Sequence, residues 1–179
     1  LILKDGMVVQ THKFRHTNII HRDPTIAVEH FNQWSIDELL VIDVSRTLEN
    51  RSKFIQAVEQ LSKFCFVPLT VGGWVSSVED IRNLLLAGAD KVCINSHAFR
   101  HPEFITEASS KFGSQCIVIS IDAKKENDNH IVYIDRAREN TRFKVEDWAK
   151  KVAELGAGEI LLSSIDNDGD RKGYDLELM

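Results

Sequence analysis

Residues 66–95 read FVPLTVGGWVSSVEDIRNLLLAGADKVCIN. The stretch opens on a short apolar run, FVPLTV (66–71), of strand length. Two glycines follow, Gly72 and Gly73. Ser77 with Asp80 three residues on is an N-cap pattern. The hydroxyl takes an orphan backbone N–H, and the carboxylate sits near the positive end of the helix dipole. IRNLLLAGAD supplies the helix body and a stop at Gly88. KVCIN (91–95) is a second strand. Both strands are apolar throughout rather than alternating, the pattern of a parallel sheet covered on two faces. Strand, helix and strand together make one βαβ unit.

The same unit repeats outward. Before it lie the strand-like runs LIL (1–3) and LLVIDV (39–44). The segment RSKFIQAVEQLSKF (51–64) places Phe54, Ile55, Val58, Leu61 and Ser62 at helical spacing. After it comes HPEFITEASSKFG (101–113), a helix with Pro102 in its first turn and Gly113 at its end. QCIVISID (115–122) is a strand, KVEDWAKKVAELGAG (144–158) a helix stopping at Gly156, and EILLSSID (159–166) another strand. A further helix is expected to begin at YDLELM (174–179). Six strands suit an open doubly wound sheet, and they are too few to close an eightfold barrel, which takes about 250 residues.

The chain has 179 residues, 43% of them hydrophobic, with a net charge of -5. That is enough to bury one good core. A mildly acidic balance argues against a nucleic-acid footprint. No apolar run approaches the roughly 18 residues of a membrane span. The three cysteines, Cys65, Cys93 and Cys116, stand in apolar runs without metal-site spacing and are expected to be buried and reduced. The seven histidines also lack ligand spacing. A basic tract, His12, Lys13, Arg15 and His16, lies in an expected loop and suits either an anionic substrate or exposure to solvent.

Polar residues collect just after successive strands: Asp43, Gly72–Gly73, Asn95–Ser96, Asp122, and Asp166 to Gly169. A barrel builds its site from those loops on one face, whereas an open sheet uses them only near a switch point. Recurrence after five strands favours the barrel. Singly, each residue also reads as a helix cap.

Several stretches carry a resemblance: PLTVGG, SVEDIRNLLLAGADKVCIN, KFGSQCIVISIDAKK, GAGEILLSSIDNDG and GYDLEL. They closely resemble the cyclase subunit (HisF) family of imidazole glycerol phosphate synthase, in register along essentially the whole chain. The resemblance implies an α/β fold, a phosphate-binding (βα)8 TIM barrel, present as about six βα units in one domain spanning 1–179. Strand one would be truncated and strands seven and eight absent. It implies a cytoplasmic lyase or synthase subunit with no cofactor and no metal. Such a subunit pairs as a heterodimer with a HisH-like glutaminase, whose ammonia passes up the barrel to a phosphorylated small molecule, with no nucleic acid or membrane involved. Asp122 matches the family's strand-five acid/base aspartate. Gly73, Asn95, Ser96, Asp168 and Gly169 match substrate- and phosphate-binding positions. Glu38, Lys91 and Glu159 match the charged gate at the ammonia entrance, and Asp90 an interface aspartate.

Four departures accompany the match. The strand-one catalytic aspartate of the family is Ile2 here, which cannot transfer a proton, and the nearby Asp5 matches a non-catalytic turn residue. The third glycine of the family's GGG is Trp74. The usual Lys after the first hairpin strand is Gln10, and a Ser-Gly phosphate contact reads Arg136-Ala137. An altered substrate end beside a kept ammonia end resembles the paralogues of surface-glycan biosynthesis that install an acetamidino group, which implies a nucleotide-sugar or phosphorylated substrate. The alternatives are the histidine-pathway cyclase itself, a non-catalytic scaffold that activates a glutaminase, and an isomerase of the sister barrel family.

Overall fold

A computed structural model describes residues 1–179. The chain divides into two compact units, one of residues 1–10 and 18–93 and the other of residues 11–17 and 94–179.

The first unit starts with β1 (Ile2–Lys4), β2 (Met7–His12) and β3 (His16–His21), the last two without their tip at 11–17, followed by α1 (Pro24–Gln33), β4 (Leu39–Asp43), α2 (Arg51–Phe64), β5 (Leu69–Gly72), α3 (Val78–Leu86) and β6 (Lys91–Ile94). β1 turns back on β2 through Asp5 and Gly6, both at positive φ, and pairs with it antiparallel. On its other edge β1 pairs in parallel with β4, placing Leu3 beside Asp43. The parallel array continues from β4 to β5, with Val41 beside Val71, and from β5 to β6, with Val71 beside Val92. Leu3, Val41, Val71 and Val92 are fully buried, as the unbroken apolar runs require.

The helices bury the stripes that their periodicity marks. α2 buries Phe54, Val58 and Leu61, while Ile55 and Ser62 stay partly exposed. α3 buries Ile81 and Leu84. Its cap forms as expected: Ser77 Oγ accepts from the Asp80 N–H at 3.1 Å. Beyond Leu86 the Ala89 N–H returns to the Leu84 carbonyl across a left-handed Gly88, a Schellman-type ending.

The second unit continues with α4 (Ser96–Arg100), α5 (Glu103–Phe112), β7 (Ile117–Glu126), β8 (Asn129–Ile134), β9 (Glu139–Lys144), α6 (Val145–Glu154) and β10 (Glu159–Ser164). β7 is its central strand. It pairs in parallel with β10, from Val118 beside Glu159 to Ala123 beside Ser164, and antiparallel with β8. Ile117, Ile119 and Ile121 are fully buried, with Ile105 and Ala108 from α5 and Val152 from α6. Trp148 of α6 closes this core edge-on to Phe99, ring centroids 4.8 Å apart.

Several expectations need correction. FVPLTV is not a strand from its first residue. β5 starts at Leu69, after Pro68, which has no N–H for a ladder, and Phe66 is 82% exposed. The sheet strands number ten rather than six, the four additional ones being β2, β3, β8 and β9, which pair antiparallel as hairpin arms. The basic tract is therefore the tip of a hairpin and not a free loop. The helix at HPEFITEASSKFG forms as α5, with Pro102 at its N-cap and Gly113 at its C-cap, and a separate single turn, α4, precedes it. Residues 174–179 form a turn closed by the Leu178 N–H on the Asp175 carbonyl, with no helix. All three cysteines are free, but only Cys93 is buried. No helix is long and apolar enough to cross a membrane.

Candidate active site

In the second unit, β7 carries Asp122 within its buried stretch, only 8% exposed and followed by the buried Ala123. A carboxyl group there loses its hydration, and burial pushes its pKa up to about 7. Asn95 opposes this by donating from Nδ2 to Asp122 Oδ2 at 3.0 Å, and Ser120, two residues back on the same strand face, adds a long contact at 3.5 Å. The negative charge of Asp168 acts in the same direction as burial. The result is a carboxyl group that takes and gives a proton near neutral pH, which is what general acid–base work requires.

Asn95 follows β6 directly. It is not the helix cap that its place before α4 suggests: its side chain makes no cap bond and goes instead to Asp122 and to the Ser120 carbonyl, 3.1 Å away. Ser96 donates to Asn95 Oδ1 at 3.0 Å and accepts from the Asp135 N–H at 2.9 Å. Asp135 opens the β8–β9 turn, and there Arg138 bonds the Asp135 carboxylate at 2.7 Å while Arg136 lies 3.6 Å from it.

The loop after β10 carries Asp166, Asp168 and Gly169. Asp166 caps the backbone N–H of Lys125 at 2.8 Å. Asp168 holds the hairpin tip: its carboxylate accepts from Thr11 Oγ1 at 2.9 Å and from the Phe14 N–H at 3.0 Å, and its carbonyl accepts from the Lys13 N–H at 3.1 Å. Gly169 has φ +77°, and a Cβ there would lie 2.7 Å from the Thr11 carbonyl, so only glycine allows this approach. His12 and Lys13 face Asp170 at 3.1 and 3.8 Å. Two residues of the basic tract, His12 and Lys13, thus meet a carboxylate within this unit. Asp122, Asn95, Ser96, Asp168 and Gly169 of the expected site all belong to this unit.

In the first unit, Asp43 at the end of β4 is likewise 8% exposed, its carboxylate accepting from the Ser45 N–H at 2.9 Å and hydroxyl at 2.5 Å. Gly73 crosses above it at φ +112°, where a Cβ would sit 2.5 Å from the Asp43 carbonyl. Arg51 donates from Nη1 to the Gly73 carbonyl at 2.8 Å, and burial lowers its pKa against the pull of Asp80 and Asp43. Trp74 occupies the next position at φ +56°, an unusual backbone for a bulky residue. Its indole N–H donates to the Ser45 carbonyl at 3.0 Å, pinning the ring over the end of β4. Ile2 stands on β1 beside Ile42 of β4.

The expected gate residues stand at the strand starts. Glu38 and Lys91 form an ion pair at 3.2 Å, and Asp90 accepts from the Leu69 N–H at 2.8 Å. Glu159 opens β10 opposite Val118 in register.

Residue-type reasoning missed Thr11, Ser120, Asp135 and Arg51. Ser120 was legible, because residues two apart on a strand share a face. The others meet their partners only through long-range folding.

The whole chain, residues 1–179, matches the family model described as histidine biosynthesis protein. Curated relatives agree. The chain is 44% identical over 179 residues to the imidazole glycerol phosphate synthase subunit HisF of Natranaerobius thermophilus, covering 100% of this chain and 71% of that protein. It is 47% identical to the subunit of that name from Bacillus cereus, over 99% of this chain and 71% of the relative. It is 45% identical to the putative imidazole glycerol phosphate synthase subunit hisF2 of Vibrio vulnificus, over 100% of this chain and 65% of the relative. Together with the parallel βα order, these matches place the chain: it belongs to the histidine biosynthesis protein family, whose fold is the TIM barrel.

Proposed function

We propose that the chain, as a single barrel domain, acts as the cyclase-type synthase subunit of a glutaminase-coupled pair, using ammonia on a phosphorylated or nucleotide-sugar substrate. The observation that carries the reading is Asp122, a buried carboxyl group with a pKa near 7 and a built hydrogen-bond setting. Asp122 serves as general acid and base. Gly73, Asn95, Ser96, Asp168 and Gly169 serve the substrate. Backbone N–H groups at the glycine turn and the strand-end loops suit an anionic group, and Asp168 serves by holding its loop against the hairpin tip. Glu38, Lys91 and Glu159 line the ammonia entrance, and Asp90 meets the partner. The relatives' names, each a synthase subunit, support a partner.

Within that reading the substrate is a diverged one, in amidino-sugar or surface-glycan synthesis. Ile2 offers no proton at the first strand, so a two-aspartate mechanism lacks its second group. Trp74 puts an indole where close backbone approach to a phosphate would need a small residue. The identity of 44–47% to HisF subunits supports the second reading, the histidine-pathway cyclase. Complementation separates them. The gene, expressed in full in a histidine auxotroph lacking the cyclase, is expected not to restore growth. Growth at normal rate refutes the diverged substrate. A glutaminase stimulated by the Asp122→Asn variant, with ammonia incorporation unchanged, would point instead to a scaffold.

A further inference from the structure

Asp122 is fixed by a chain of groups and not by one neighbour. Asn95 presents its amide hydrogens to Asp122 Oδ2 (3.0 Å) and to the Ser120 carbonyl (3.1 Å). Its Oδ1 takes the Ser96 hydroxyl proton at 3.0 Å. Ser96 Oγ in turn accepts from the Asp135 N–H at 2.9 Å. Donors and acceptors alternate without conflict. A flipped carboxamide would set oxygen against oxygen at two contacts and leave the hydroxyl without its acceptor. The far end is anchored. Asp135, Arg136 and Ala137 have φ of 52°, 57° and 59°, three consecutive non-glycine residues in the left-handed region. Such backbone persists only where its surroundings over-determine it.

We propose that Ser96 is a positioning residue, which locks the Asn95 carboxamide against Asp122 and ties both to the β8–β9 turn. The inference rests on the reading of Asp122 as the acid–base group. Ser96 bonds Asn95 and the Asp135 N–H, and its effect on the Asp122 carboxyl group runs through Asn95. When the carboxyl group ionises, the Asn95 donor stabilises the anion, and the hydroxyl keeps that donor aimed. The other groups around Asp122 are accounted for. Asp168 is the charge that acts on it. Tyr133 lies opposite in register on β8 and gives its hydroxyl to Glu126. Lys124, two residues along β7, has its Nζ 5.5 Å from the Tyr133 ring centroid. Ser163 is the β10 neighbour.

The test is the carboxyl 13C titration of Asp122 in the full chain, assigned with Asp122→Asn. Ser96→Ala is expected to raise the apparent pKa by about 1, the worth of one hydrogen bond to the charged form. Ser96→Thr, which restores the hydroxyl, is expected to return it to the native value. In an Asn95→Ala background, Ser96→Ala is expected to add nothing. An unmoved titration in Ser96→Ala overturns the proposal, as does an equal move with and without Asn95. Should Ser96→Ala not fold, Ser96→Thr and Ser96→Val, of equal size, isolate the hydroxyl: equal titrations in the two overturn the proposal. Full activity in Asp122→Asn would remove the acid–base reading and leave the relay standing.

Discussion

Asp122→Asn is expected to make the protein more stable above neutral pH while removing the proposed acid–base group. Burial raises the folded pKa from 3.8 to about 7. The folded state therefore binds the proton more tightly than the unfolded chain. Below pH 3.8 both states are protonated and the group costs nothing. Between 3.8 and about 7 the folded state must hold a proton that the unfolded chain has released, so stability falls as pH rises. Above about 7 the loss is complete and level. Each pH unit is worth about 1.4 kcal/mol, which gives a ceiling of about 4 kcal/mol; water admitted on ionisation brings the measured value down, to roughly 2–4 kcal/mol. Asparagine keeps the shape and never ionises. The variant should match the native chain at about pH 4 and exceed it at about pH 8 by that amount, or by roughly 5–15 °C in Tm. Denaturant unfolding of the full chain at the two pH values measures it. A native–variant difference that is the same at both pH values, or a variant less stable at the higher one, would refute the reasoning.

Two further outcomes follow from the loops. Asp168→Ala removes the acceptor of Thr11 Oγ1 and the Phe14 N–H, so the hairpin tip should open and trypsin should cut at Lys13 or Arg15 several-fold faster, with the remaining fold unchanged by circular dichroism; unchanged cleavage would mean that the tip is held elsewhere. Gly73→Ala drives a Cβ to 2.5 Å from the Asp43 carbonyl at a positive φ, and should cost about 2–4 kcal/mol in denaturant unfolding, whereas a neutral result would mean that the turn can shift.

Much of the fold was legible because its signals are local. α2 runs from Arg51 to Phe64, the bounds of the periodic stretch, since a helix writes its buried face at a spacing set by the backbone. Ser77 caps the helix it was expected to cap, and Gly88 ends it. The strands that failed were those whose pattern depends on another segment. β3 exposes most of its residues and pairs as a hairpin arm, so neither alternation nor a buried run marks it. Phe66 sits in an apolar run that the tertiary structure leaves exposed, because Pro68 delays the ladder.

The site divides along the same line. That Asp122 closes the apolar run QCIVISID, that Asn95 follows another, and that Ile2 stands where the resembling family has an aspartate are properties of the linear chain. The strand end is not: β7 runs on to Glu126, because β8 pairs with it beyond Asp122. Which way Asn95 turns is not such a property. As a residue before a helix it reads as a cap, and only burial of the Asp122 carboxyl group beside it makes the carboxylate the better acceptor. The same holds for Asp168. Its sequence neighbours mark a loop, but its grip on Thr11 and Phe14 joins residues more than 150 positions apart. A raised pKa comes from desolvation, and desolvation is created by every element packed around the group. The sequence by itself determined which residues are candidates for the chemistry, because strand and loop patterns are local. The tertiary structure decided the burial that raises the Asp122 pKa and the aim of Asn95, because both need elements distant in the chain.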